Sequence, residues 1–420
     1  MYSKQDSTEY DDKSLLILNI LVPLVSNYII DQWYKQNLDI MKTICFIFTI
    51  AIAFGCRMKE SSIEQDNRSI KIDFQGITLS DNSSNIKEIE YLPLETNENI
   101  LINWIDKIIF HNSKFYLLDL SLNTIFIFNR DGSFYKKISN IGKGSGEYLH
   151  IMDFDINFDN SIWIYDNYSN KIIIYNDSLT DYNEIKLKYR FEEFVIKTKN
   201  QIFTRNLYSE GTIHSRVAEL DIEKMNYKVL LDKSSYQDDF DITRIGRYIF
   251  FKSSNSLLFN PRFTDKICRI FNGEIQEIYK ITENFPDAQF IEKIKNDPTI
   301  IYSQDNYVLS IEEIFESSDY LSLRVSKNMY DPKTYFYSKV TTNLLNINLM
   351  NDNKYFGNTI IKAIAEDKFV SLFIPNENIE KQWYKSNINS SNLDSKNKNI
   401  LLNAGLYDNP IIILFNLIEF

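Results

Sequence analysis

Cysteine and histidine are nearly absent from this 420-residue chain, at three positions each. Three cysteines are too few for most disulfide or metal frameworks. Cys45 and Cys56 lie in an apolar N-terminal segment, so only Cys268 remains in the body, where a lone cysteine reads as a small buried hydrophobe. His111, His150 and His214 show no short ligand spacing, which argues against a zinc site. A basic excess is missing too: 46 Lys and Arg against 57 Asp and Glu give a net charge of −11. That sign is wrong for a phosphate-reading surface, so no nucleic-acid partner is expected. No Gly-x-Ser-x-Gly nucleophile elbow occurs. Glycine (11) and proline (8) are scarce, whereas Phe (29) and Tyr (27) are abundant, a balance that favours strands over helices. With 44% hydrophobic residues the chain is too apolar to be disordered and can bury a large core.

Near the N-terminus, Met41-Lys42 is followed by the apolar run Thr43–Phe54 and then Gly55-Cys56. A basic start, about a dozen apolar residues and a small residue before the break are the parts of a secretory signal. The run is short for a membrane span, which takes ~20 apolar residues. With Cys56 directly after Ala53-Phe54-Gly55, the segment resembles a bacterial lipoprotein signal, which implies cleavage before Cys56 and acylation of its thiol. It departs from the usual pattern at Ala53, where Leu is common, and at Phe54, where a smaller residue is common. Residues 1–40 fit such a signal poorly and read as an upstream extension, with translation expected from Met41. The expected order is therefore extension 1–40, signal 41–56, flexible polar tether 57–85 and folded body 86–420. Residues 57–60 lack the acidic cluster that often follows the cysteine in surface-exported lipoproteins, so the periplasmic and surface faces stay open as alternatives.

The body repeats itself. Lys114–Asn129 aligns with Ser161–Asn176 without a gap at an offset of 47, placing Asp119 on Asp166 and Asn123 on Asn170. Each unit reads as strand, Asp-centred loop, strand, and Asp and Asn suit such loops because their side chains bond nearby amides. A further strand precedes each pair (Ile105–Phe110, Phe154–Phe158) and another follows (Phe134–Ile138, Glu184–Leu187). Four antiparallel strands per ~45 residues mark a β-propeller blade. Diverged units follow at Phe194–Leu231 and Tyr248–Ile281, and strand-like pieces of two more run from Ile311 to Ile374. The expected fold is all-β: a six-bladed propeller of four-stranded antiparallel blades. Two polar inserts, Pro286–Asp297 and Asn376–Lys398, read as helical. Ile86–Leu94 and Pro410–Glu419 are expected to pair and close the ring, since each would otherwise be an exposed edge.

With these units in view, the chain resembles the six-bladed propeller lipoproteins of Bacteroides and relatives, distantly similar to NHL-repeat propellers. The carrying segments are Ile86–Thr96, Ile141–Tyr148, the Asp-loop units, Asp265–Ile270 and Asn409–Leu414. The resemblance implies a monomeric outer-membrane lipoprotein of the cell envelope. It leaves activity open, because fold alone does not give function.

Candidate chemistry is thin. Gly142–Tyr148 is not a phosphate loop: its Lys precedes the later glycines and no helix follows. Glu147 and Tyr148 are candidates for a channel mouth, and Arg262 and Trp383 for contact with an anion or sugar, against a packing role for each. Asp119 and Asp166 read as turn stabilisers, because both sit at one repeated position. Asp153 and Asp155 stand as alternative ligands for a channel calcium, of the kind propeller lactonases hold. The leading expectation is a non-catalytic module binding a glycan, a peptide or an envelope protein, without cofactor. The alternatives are a hydrolase or lyase using a channel cation, and a spacer without a ligand.

Overall fold

Alternating apolar runs separated by Asp, Asn and Gly turns can only satisfy their backbone by pairing with neighbours in sequence, which builds hairpins first and sheets from them. The computed structural model describes residues 69–74, 78–80, 85–232, 248–252, 257–328, 330–347 and 360–420. The expected extension, the signal segment and Cys56 lie outside the described residues. In it six sheets of successive antiparallel strands form the blades of a propeller. The first blade comprises Lys107–His111, Lys114–Asp119, Thr124–Asn129 and Phe134–Ile138, and the second Ile151–Ile156, Ile162–Asp166, Lys171–Tyr175 and Tyr182–Lys186. Glu193–Leu231 supplies the third blade, Phe251–Thr282 the fourth and Ser310–Ile347 the fifth. Among the described residues, no helix is long and apolar enough to cross a membrane.

The sixth blade closes the ring as the sequence suggested. Its strands are Ala363–Ala365, Lys368–Phe373, Ile411–Leu417 and, from the other end of the chain, Ile86–Pro93. Ile411 pairs with Pro93 and Leu417 with Ile86, so the C-terminal strand is interior to the blade. The free edge of Ile86–Pro93 is capped by a side chain: Asn397 Oδ1 accepts from the Tyr91 N–H (3.2 Å), and its Nδ2 donates to the Ile89 carbonyl (3.0 Å). One amide thus imitates a neighbouring strand.

The tether expected over 57–85 needs correction, and so does the start of the folded body at 86. Ile70–Asp73 adds in parallel to the outer strand of the fourth blade, and Thr78–Ser80 to that of the fifth. Ile70-Lys71-Ile72-Asp73-Phe74 does alternate, and Ile72 and Phe74 are buried, Phe74 with its ring edge-on to Tyr335 at 4.7 Å. The alternation is too brief to register as a strand in sequence. Open edges on two blades supply the hydrogen bonds that complete it.

The inserts are helical, as expected. Asp287 caps Ala288–Asn296 by accepting from the Phe290 N–H, and Asp394 caps Ser395–Asn403 by accepting from Asn397.

The repeated Asp and Asn occupy equivalent places in adjacent blades, at the loop joining the second and third strands. Asp119 Oδ1 accepts from the Leu122 N–H (3.0 Å), and its Oδ2 from those of Asn103 (2.7 Å) and Trp104 (3.0 Å). Asp166 does the same with Tyr168 and Ser169 on one oxygen and Leu149 on the other. Both carboxylates are fully buried. Each stabilises its own turn and pins the segment entering its blade. Asn123 and Asn170 adopt positive φ (53° and 48°), a region Asn tolerates, and reach the next inter-blade connection through Leu149 and Leu187 carbonyls.

Candidate functional site

The innermost strand of a radial sheet turns one edge toward the axis with no strand beyond it, so its N–H groups need other acceptors. Here carboxylates from the preceding blade provide them. Asp153 Oδ2 accepts from the Phe194 N–H at 3.0 Å, and Asp155 Oδ2 from Ile196 at 2.7 Å. Glu193 continues the pattern one blade on, taking the N–H groups of Ile249 (2.8 Å) and Phe250 (3.0 Å).

These acids are buried and therefore need counter-charges. Lys107 Nζ lies 2.7 Å from Asp153 Oδ1 and 2.9 Å from the Phe154 carbonyl, above the Tyr248 ring at 5.0 Å. Lys252 Nζ lies 2.5 Å from Asp155 Oδ2, and Arg205 Nε is 3.4 Å from Glu193 Oε2. Burial alone would discharge Lys107, but Asp153, Asp155 and Glu193 outweigh it and hold the ammonium protonated above its usual range.

Glu193 is pushed up to about 7, first by burial and then by Asp153, against the pull of Arg205. Its folded value exceeds the unfolded one near 4.5, so the folded protein holds the extra proton between them. The stability this confers is complete below about 4.5 and is lost as pH rises through about 7. The wild-type unfolding free energy from urea titrations should fall across that window, by at most ~3.4 kcal/mol. Glu193→Gln should flatten the profile; an unchanged slope in the variant would assign the pH dependence to other groups.

Beside this ionic lattice runs a cavity of about 1040 Å³. It follows the inner strands from Trp104, ahead of the first of them, to His111, Phe158 and Asp367 at and beyond their far ends. Its walls are largely aromatic and aliphatic, with Tyr248, Phe251 and Phe315 among them, and Phe158 at one end is 89% exposed. A concave, mostly apolar space with a few fixed charges is the usual form of a small-ligand site.

The residues singled out from sequence do not come together there. Glu147 turns its carboxylate into its own loop, accepting from the Gly144 N–H at 2.7 Å. A Cβ at Gly142 would stand 2.0 Å from that carboxylate, so a larger residue there would require the Glu147 side chain to move. Tyr148 corrects the channel-mouth expectation outright: it is fully buried, its hydroxyl 3.0 Å from the Asn123 and Ile138 carbonyls, and has no surface for a ligand. Arg262 is half-buried and Trp383 about half-exposed, and neither lines the cavity. Asp153 and Asp155 face Lys107 and Lys252. Cys268 is buried, which pushes its thiol up to about 12. The three histidines stay apart: His111 pairs with Asn160, His150 with Asn167 and His214 with Ser209. Among the described residues no three His, Cys, Asp or Glu side chains gather as a metal site. What the sequence reading missed is Lys107, Glu193, Lys252, Glu312 and Glu313; a single charge opening an apolar strand, as in Lys107-Ile-Ile-Phe and Glu193-Phe-Val-Ile, was the available signal.

Fold and site together define a ring-closed six-bladed β-propeller with an axial cavity, and the resemblance to the propeller proteins of Bacteroides holds. Residues 70–416 match the family described as Domain of unknown function (DUF4934), and the chain belongs to it. A solved Bacteroides fragilis protein, provisionally designated as exported, superposes with a TM-score of 0.65 at 18% identity, covering 83% of this chain and 100% of its own. A Bacteroides vulgatus member of the DUF4221 family aligns with a TM-score of 0.47 at 11% identity, over 80% of this chain and 100% of that one. Virginiamycin B lyase from Staphylococcus aureus aligns with a TM-score of 0.35 at 16% identity, over 68% and 81%. No curated protein sequence matches the chain.

Proposed function

We propose that this propeller is a non-catalytic ligand-binding module of the bacterial cell envelope, anchored in the outer membrane through lipid on Cys56 and serving uptake of a glycan or peptide nutrient. The axial cavity of about 1040 Å³ carries the reading: it is large enough for a small ligand, and its polar groups are fixed acceptors and ion pairs instead of a proton-transfer set. The lipoprotein-like segment ending at Cys56 and the exported designation of the B. fragilis relative support the envelope placement. Two or three acyl chains anchor stably, since each buried methylene contributes ~0.8 kcal/mol. Intact mass of the native protein, which reports both the acyl chains and the cut before Cys56, tests the anchor.

Glycan and peptide arrays probed with the purified protein test the binding role. Ala363 is a small, buried residue of the cavity wall, and Ala363→Trp should fill the space beside it. Binding of any array ligand is expected to fall about tenfold or more in this variant, read on protein that retains a cooperative unfolding transition, since a Trp at this buried position also crowds the core between the sixth and first blades. A ligand that binds the filled variant as well as wild type would move the site off the axis.

A further inference from the structure

The charges lining the cavity are unequal. Three lysines (Lys107, Lys252 and Lys362) share the wall with six carboxylates. Every lysine is already held: Lys107 by Asp153 at 2.7 Å, Lys252 by Asp155 at 2.5 Å and Lys362 by Glu313 at 3.3 Å. Among the described residues no ammonium on the wall is left to draw an anion. Five of the six acids are likewise engaged. Asp106 accepts from the Leu120 N–H (2.9 Å) and Asp367 from Ser318 (2.8 Å). Asp155 and Glu313 hold the lysines just named, and Glu366 pairs with Arg130 at 3.0 Å.

Glu312 is the exception. Its Oε1 receives the hydroxyls of Ser310 (3.2 Å) and Ser326 (3.3 Å), and among the described residues it has no backbone N–H donor and no ion pair. Arg324, opposite it in register, is paired with Glu313 at 3.4 Å, and burial raises the Glu312 carboxyl above its usual range. The strand is shaped to put it there. Register against Tyr320–Ser326 skips between Glu312 and Phe315, and Glu313 takes φ +53°, so a bulge brings both consecutive glutamates to the cavity wall where a regular strand would alternate them. Phe251 and Phe315 also line the cavity, their rings 5.4 Å apart, and aromatic faces attract cations.

Resting on the reading of the cavity as the ligand site, we propose that it selects ligands carrying a protonated amine beside an apolar body, with Glu312 as the counter-charge. The ammonium completes the one wall carboxylate that has neither a cation nor a backbone N–H among the described residues, and the apolar body lies against the aromatic wall. An anion meets only satisfied lysines and an acidic surplus.

Three probes of one shape separate the charge classes: 3-phenylpropylammonium, 3-phenylpropanol and 3-phenylpropanoate, titrated into the full chain and followed by calorimetry or saturation-transfer NMR. The ammonium is expected to bind about tenfold tighter than the alcohol, and the carboxylate weakest. Glu312→Gln should bring ammonium and alcohol binding to within about twofold of each other. Glu312→Leu is the second variant, and the wild-type comparison stands even if neither folds. Equal binding of ammonium and alcohol, an ammonium preference that survives in Glu312→Gln, or absence of ammonium binding would each overturn the proposal. So would stoichiometric calcium uptake lost in that variant, which would make Glu312 a metal ligand. Alcohol binding that equals ammonium binding and disappears in Ala363→Trp would end the amine preference and keep the cavity as the site.

Discussion

Deletion of residues 410–420 is expected to abolish the cooperative unfolding transition. Ile411–Leu417 lies between Lys368–Phe373 and Ile86–Pro93, so its loss breaks two ladders and unties both ends of the chain. Ile411, Ile412, Ile413, Leu414, Phe415 and Leu417 are each at most 2% exposed. At ~2 kcal/mol per buried side chain they contribute on the order of 12 kcal/mol, comparable with the ~5–15 kcal/mol that holds a whole domain folded. Calorimetry and near-ultraviolet circular dichroism read the outcome. Leu414→Asp places a charge at the centre of the same strand and should act in the same direction while leaving the chain length intact. A truncated protein that kept the wild-type melting temperature would show that the ring does not depend on this closure.

Lys107→Met is expected to destabilise the protein by about 3–5 kcal/mol, although methionine fills much of the same space. The change removes the ammonium that pairs with Asp153 among the described residues, and Asp153 is fully buried and cannot recover hydration. Adding Asp153→Asn recovers part of the loss, because the amide oxygen still accepts from the Phe194 N–H and no charge is left unpaired. Urea unfolding of the two single variants and the double gives the coupling energy directly. A Lys107→Met protein within about 0.5 kcal/mol of wild type would mean that water reaches this part of the axis and the lattice is not dry.

Much of the scaffold is legible in the chain because its signals are local. The 47-residue offset between the Asp119 and Asp166 units reports two hairpins whose turns need the same acceptor at the same place. Closure by residues near Ile86 and Pro410 follows from the cost of an open edge at each terminus. Ile70–Asp73 and Thr78–Ser80 were hidden for the opposite reason, since strands of three or four residues take their stability from a distant blade edge. Tyr148 misled because an aromatic after a glycine-rich loop suggests a mouth, yet the loop folds back and buries the ring between the first two blades.

The amino-acid order alone settled the strand-rich class, the blade repeat, the pairing of the two ends and the helical inserts, since periodicity and turn chemistry act over a few residues. The cavity and its charges were decided by tertiary structure. Lys252 and Asp155 meet across 97 positions, and Lys107 and Asp153 across 46. Spacing in sequence sets no distance between them; only bending six sheets around one axis brings their inner edges together, and only then does Glu312 stand out as the wall acid with neither a cation nor a backbone N–H among the described residues.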